Sequence, residues 1–131
     1  KLYTDSNPTW VNARDAIFRM KKVAEKEGAK FAVLIQPDLH DLSDKAAQWK
    51  ALDFVEKTLR DAGIPTQQVA PKLRGQHPAP NKTLWVAADD PHPNATGHGT
   101  MSESLTSLVE SVLLGASPAP ASAPVPAPAV P

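Results

Sequence analysis

Leu84-Trp85-Val86-Ala87-Ala88-Asp89-Asp90-Pro91-His92-Pro93-Asn94-Ala95-Thr96-Gly97-His98 is the stretch on which the fold of this chain turns. It opens as a short apolar strand, passes into a loop bearing carboxylates and an imidazole, and offers Asn94 as the cap of a following helix. Open α/β sheets keep their chemistry in the crevice outside the carboxyl ends of their strands. A strand that delivers Asp and His to such a loop therefore marks a fold class and a site together.

Upstream, Asn7-Pro8 supplies a capping side chain and then a proline where the first turn needs no backbone donor. Trp10, Ala13, Ile17, Met20 and Ala24 recur at helical spacing, which predicts a helix from residue 8 to residue 27 that Gly28 closes in the left-handed conformation. Phe31 to Ile35 is a continuous apolar run, suited to a strand buried on both faces of a parallel sheet, and Gln36-Pro37-Asp38 stops it. Ser43 or Asp44 is placed to cap a second helix, with Trp49, Leu52, Val55, Leu59 and Ala62 as its apolar stripe and Gly63 as its end.

Ile64 to Ala70 reads as a short edge strand, because Gln67 and Gln68 interrupt its apolar character and Pro65 sits at its entry. Pro71 to Lys82 has loop composition. After the opening stretch, Met101, Leu105, Leu108 and Val112 mark a last helix that runs to Gly115. Three alternations of helix and strand predict a layered α/β domain over residues 1–115. Residues 116–131 contain only Ala, Pro, Ser and Val and are expected to form a disordered, extended tail, either an ordinary terminus or a spacer.

Lys and Arg number 14 and Asp and Glu number 14, so the net charge is zero and no basic field is offered to nucleic acid or to an anionic membrane. A small neutral substrate or a protein partner fits better. The absence of cysteine excludes disulfides, thiolate nucleophiles and cysteine zinc sites. No apolar run approaches the ~20 residues that a membrane-spanning helix requires. The chain begins with Lys1 and has no signal-type apolar core before Pro8, so it reads as part of something longer.

An imidazole near neutral pKa relays protons when a carboxylate on its other nitrogen fixes the tautomer. Asp89 lies three residues before His92 and can reach the ring, Asp90 is the rival for that role, and Pro91 and Pro93 stiffen the backbone around it. Trp85 and Asn94 flank the pair, and Pro37 and Asp38 follow the first strand, so these four are candidate pocket residues. Gln36 to Asp41 is a candidate wall of the pocket, although Asp38, His40 and Asp41 read individually as a solvated loop. His40 and His77 are read as solvated loop residues, and His98, in the first turn of a helix, as structural.

Asp89-x-x-His92, followed by Pro93-Asn94, Gly97-His98 and an amphipathic last helix, resembles the final motif block of the SGNH (GDSL-type) serine hydrolase superfamily. The order of helix, buried strand ending at Pro37, helix closed by Ala62-Gly63-Ile64-Pro65, short strand, loop, Asp and His resembles that family's second half, over about residues 8 to 114. The resemblance implies a flavodoxin-like three-layer α/β/α fold with a mostly parallel sheet, present here as an incomplete C-terminal half. It implies hydrolysis of esters, or acyl transfer, with His92 as general base and Asp89 orienting it, and Asp90 stands as the rival acid because the sequence does not show which carboxylate turns inward. The substrate would be a small ester or an acylated carbohydrate, without cofactor or metal, and an exported or periplasmic setting is favoured.

This chain also departs from the family. No Gly-Asp-Ser-type nucleophile motif and no Gly-x-Asn-Asp-type oxyanion block occurs, and Thr4-Asp5-Ser6-Asn7 lacks the glycine and precedes a helix as a cap would. The serine and the oxyanion hole are therefore expected from an N-terminal remainder of the same domain, and this chain alone is expected to be inactive. Two other readings stand beside this one. Asp89, Asp90, His92 and His98 could hold a divalent metal, or the chain could be a non-catalytic SGNH-like module that binds a glycan or a protein.

Overall fold

The structure, a computed structural model, describes residues 4, 6–77 and 81–115, so the expected tail lies outside the described residues. The fold is mixed α/β, built on four helices, a short 3-10 turn and four short strands. Helix α1 spans Pro8–Lys26 and begins as its sequence dictates, with Asn7 Oδ1 accepting the backbone N–H groups of Thr9 and Trp10 at 2.9 and 3.2 Å. Gly28 closes it at φ +70°, a conformation that a Cβ would strain. Of the expected stripe only Trp10 is buried, and its ring meets Phe54 edge-to-face, with centroids 5.5 Å apart.

Strand β1 is Val33–Ile35 and strand β2 is Thr66–Gln68, and they pair in parallel with Val33 opposite Thr66. Helix α2, Gln48–Asp61, makes the crossover between them and buries Leu59. The helix starts later than the sequence suggests, without a side-chain cap. Asp41 Oδ1 instead accepts the Ser43 N–H, and the Asp44 carboxylate pairs with Arg74, so neither Ser43 nor Asp44 serves as the cap.

Residues read as loop fold otherwise. Ala70–Gln76 forms helix α3, because Pro71 falls in the first turn, where its missing N–H costs nothing and its fixed φ suits the helix. A 3-10 turn, η1, covers Asn81–Leu84 and leads into strand β3, Trp85–Ala87. The chain then reverses through Ala88 and Asp89 into strand β4, Asp90–Pro93, which runs antiparallel to β3 with Trp85 opposite Pro93 and Ala87 opposite Asp90. The segment expected as a loop beyond the last parallel strand is thus the second arm of a hairpin. This hairpin is a separate two-stranded sheet and is not hydrogen-bonded to β1 or β2. Pro91 and Pro93 are tolerated there because a two-stranded ribbon has a free edge that needs no donor.

Helix α4, Ala95–Leu114, starts at Asn94 and ends at Gly115 in the left-handed conformation, as read from the sequence. Its buried face differs from the apolar stripe: Gly97, Thr100, Met101, Ser104 and Leu108 face inward, while Leu105 is largely exposed. Small residues let the helix lie close to the hairpin. A Cβ on Gly97 would sit 3.0 Å from Pro93 Cβ and 3.5 Å from the Leu84 carbonyl.

The core gathers Leu39 and Leu42 from the loop after β1, Val69 and Leu73 around α3, Leu84 before the hairpin and Met101 of α4. Leu73 is fully buried in the helix that composition disguises as loop. Leu73→Ala should therefore lower stability by about 2–5 kcal/mol, the cost of a buried leucine, measured by urea unfolding. A change within about 0.5 kcal/mol would mean that α3 does not pack as described.

Candidate active site

The sequence offers two carboxylates to His92, and the hairpin selects one of them. Asp90 Oδ1 accepts the His92 backbone N–H at 3.0 Å and lies 2.6 Å from His92 Nδ1. A carboxylate can only accept, so in the neutral ring the proton sits on Nδ1 and Nε2 carries the lone pair. Asp89 occupies the turn between the strands, and among the described residues it takes part in no ion pair. The spacing of two, not three, meets the ring because Asp90 turns its side chain back over the residue after next, an Asx-type turn.

The pair stands in the open, with the His92 side chain 83% exposed and that of Asp90 45% exposed. The backbone N–H of His92, followed by its ring N–H, holds the Asp90 carboxyl below its ordinary range, against the opposing effect of burial. Two clefts, of about 760 and 590 Å³, lie elsewhere. Phe31 borders both, and the larger is also bordered by Gly28, Gly63, Pro65 and Gly115, where the strands begin rather than end. Neither of these two clefts takes in Asp90 or His92.

The candidate pocket residues have diverse fates. Pro37 is fully buried and lines neither of these two clefts. Asn94 is structural: Oδ1 accepts the N–H groups of Thr96 and Gly97 at 3.0 and 3.1 Å, and Nδ2 donates to the carbonyls of Thr83 and Trp85 at 2.8 and 3.1 Å. Trp85 is half-buried against the core and donates from Nε1 to the Leu39 carbonyl at 2.9 Å. Asp38 is exposed and pairs with His40, with Oδ1 2.7 Å from Nδ1.

The last contact is one that the sequence reading passed over. Asp38-Leu39-His40 repeats the spacing of Asp90-Pro91-His92 and repeats its geometry, down to the backbone N–H that His40 donates to Asp38 Oδ1 at 2.9 Å. The signal was legible as a second Asp-x-His. His98 is exposed in the first turn of α4, and the described residues contain no group of three or more His, Asp or Glu side chains that could hold a metal ion. His77 is not simply solvated, since its Nε2 lies 3.3 Å from the buried Thr100 hydroxyl.

No family profile, curated protein sequence or solved structure matches this chain. The site therefore rests on its own geometry, an imidazole held at Nδ1 by a carboxylate on a braced hairpin.

Two outcomes check this geometry. Asn94→Ala should cost about 2–4 kcal/mol, the sum of a lost cap and two lost side-chain donors, and Asn94→Asp about half of that, since it keeps the cap acceptor. The two are compared by denaturant unfolding. The Asp90 carboxyl should titrate below the ordinary aspartate range when followed by carboxyl carbon NMR, and His92→Ala should restore only part of the depression, because the backbone N–H still donates. Since the folded pKa is the lowered one, the pair's stabilisation is present above the ordinary aspartate pKa and is lost as pH falls through the folded value.

Proposed function

We propose that this chain is the C-terminal portion of an SGNH-type serine ester hydrolase, contributing the histidine base and its orienting carboxylate. The observation that supports this reading is the Asp90–His92 pair, 2.6 Å from oxygen to ring nitrogen, with Nε2 left free to take a proton from a hydroxyl nucleophile. Gln48 of α2 and the hydrogen bond from Trp85 to Leu39 hold the neighbouring loop, and Asn94 holds the hairpin to α4, so the base rides on a braced element. In the complete domain the fold is a flavodoxin-like three-layer arrangement, of which β1, β2 and the helices beside them form part. The serine and the oxyanion donors come from residues N-terminal to Lys1.

In this mechanism the imidazole takes the serine proton at Nε2 as the oxygen attacks the ester carbonyl, then returns it to the departing alcohol. Asp90 stays ionised and stabilises the imidazolium through Nδ1–H. The resemblance assigns that orienting role to Asp89, whereas the geometry of the pair favours Asp90.

The test uses a chain extended upstream of Lys1 and a short-chain aryl ester. The extended chain should hydrolyse the ester, residues 1–131 alone should not, and His92→Ala should lower kcat by about 10³-fold or more. Asp90→Asn should cost about 10²- to 10⁴-fold and Asp89→Asn only a few-fold. Equal rates for the extended chain and its His92→Ala variant would remove the hydrolase reading, and the reverse ranking of the two aspartates would return the orienting role to Asp89.

A further inference from the structure

The loop after β1 carries a second imidazole that the hydrolase reading leaves unused. That loop is built without it: Gln48 Oε1 accepts the Asp38 N–H at 2.8 Å, Gln48 Nε2 donates to the carbonyls of Asp38 and Asp41 at 2.8 and 2.6 Å, and Leu39 and Leu42 anchor it in the core. The side chains of His40 and Asp38 are 61% and 64% exposed, so burial gives no reason for their pairing. The ring is nonetheless held on two sides, by Asp38 at Nδ1 and by Trp85, whose ring it meets edge-to-face with centroids 5.5 Å apart.

Trp85 is itself fixed, through Nε1 to Leu39 and through packing on the core, and Lys82 Nζ stands 5.3 Å from its ring centroid. The result is a rigid, half-buried indole between two polar groups of different kinds. With Asp38 against Nδ1, His40 Nε2 faces away from the carboxylate and is an acceptor in the neutral ring. Lys82 supplies only donors, on a long exposed stem that can move aside.

We propose that Trp85, His40 and Lys82 form a ledge that binds a sugar ring. A pyranose presents a C–H face that packs on an indole and a rim of hydroxyls that both donate and accept. His40 Nε2 takes a hydrogen bond from one hydroxyl, and Lys82 Nζ donates to an oxygen farther round the rim, with the ring replacing the ammonium over Trp85. A shallow ledge suits a ligand that keeps most of its hydroxyls in water. A nucleic-acid base would also stack there, but the Asp38 carboxylate beside the ledge and the zero net charge of the chain oppose a phosphate backbone. As a substrate contact the ledge rests on the ester hydrolase reading and narrows it to carbohydrate esters. As a binding site it does not depend on that reading.

The experiment measures binding alone, on the nitrogen-15-labelled 131-residue chain. Methyl pyranosides of gluco, galacto and manno configuration, and the corresponding uronates, are titrated while the indole N–H signals of Trp10, Trp49 and Trp85 are followed. At least one sugar should shift the Trp85 signal saturably and leave the Trp10 and Trp49 signals in place. His40→Ala and Lys82→Ala, both at exposed positions, should each weaken that binding about three- to tenfold with the remaining spectrum unchanged, and His92→Ala should leave it unaltered. The proposal is overturned if no sugar of the panel gives a saturable shift, if neither His40→Ala nor Lys82→Ala weakens binding, or if His92→Ala weakens it as much as they do. Sugar binding that persists where the extended chain has no esterase activity would refute the hydrolase reading and leave the ledge standing.

Discussion

Asn94 is the side chain through which the hairpin and the last helix hold one another. Its oxygen satisfies two N–H groups at the start of α4, its amide nitrogen two carbonyls at Thr83 and Trp85, and its backbone N–H the Leu84 carbonyl at 2.8 Å. A two-stranded ribbon is marginal by itself in water. Here one residue ties it to a 20-residue helix, and Gly97 lets the two approach closely. The connection continues from Trp85 to the Leu39 carbonyl and so to the loop after β1. The two Asp-x-His turns are therefore linked through Trp85, although they lie about fifty residues apart in the chain.

That coupling explains which features were legible in the sequence. Helices α1 and α4, each with an Asn cap and a closing glycine, were plain from periodicity and capping, because those signals act within one turn of chain. The parallel pair β1–β2 was legible as an apolar run followed by a helix and an edge strand. Helix α3 was not, because Pro71 and Gly75 resemble loop residues until Pro71 is known to fall in a first turn. The hairpin was missed for a related reason. Ala88-Asp89 is not a typical hairpin turn pair, and two prolines in β4 argue against a strand unless that strand has a free edge.

At the site, residue types were legible and partners were not. His92 and its two neighbouring aspartates stand out in the sequence, yet the choice between Asp89 and Asp90 depends on where the chain reverses. Because the reversal takes up Ala88 and Asp89, Asp90 becomes the first residue of β4 and its carboxylate can turn back to His92. The same local physics operates at Asp38 and His40, where a solvated loop was the expectation. A carboxylate two residues before a histidine satisfies the backbone N–H and the ring N–H together, so the motif forms wherever the backbone permits that turn.

The exposure of the Asp90–His92 pair bears on what the chain requires in order to act. Its imidazole is held by a carboxylate but not shielded from water, and the electrostatic effects that lower an acyl-transfer barrier are strong only where water is displaced. The apolar residues of α1 and α4 that remain exposed, among them Met20, Val23, Leu105 and Val109, follow the same pattern. Helical stripes normally face a core, and these face solvent while, among the described residues, β1 pairs on one edge only. Under the hydrolase reading both observations have one cause: the strands and helices that would complete the sheet also carry the serine, the oxyanion donors and the walls that exclude water. Under that reading the chain contributes the carboxylate–imidazole pair, and its reactivity is set by what closes over it.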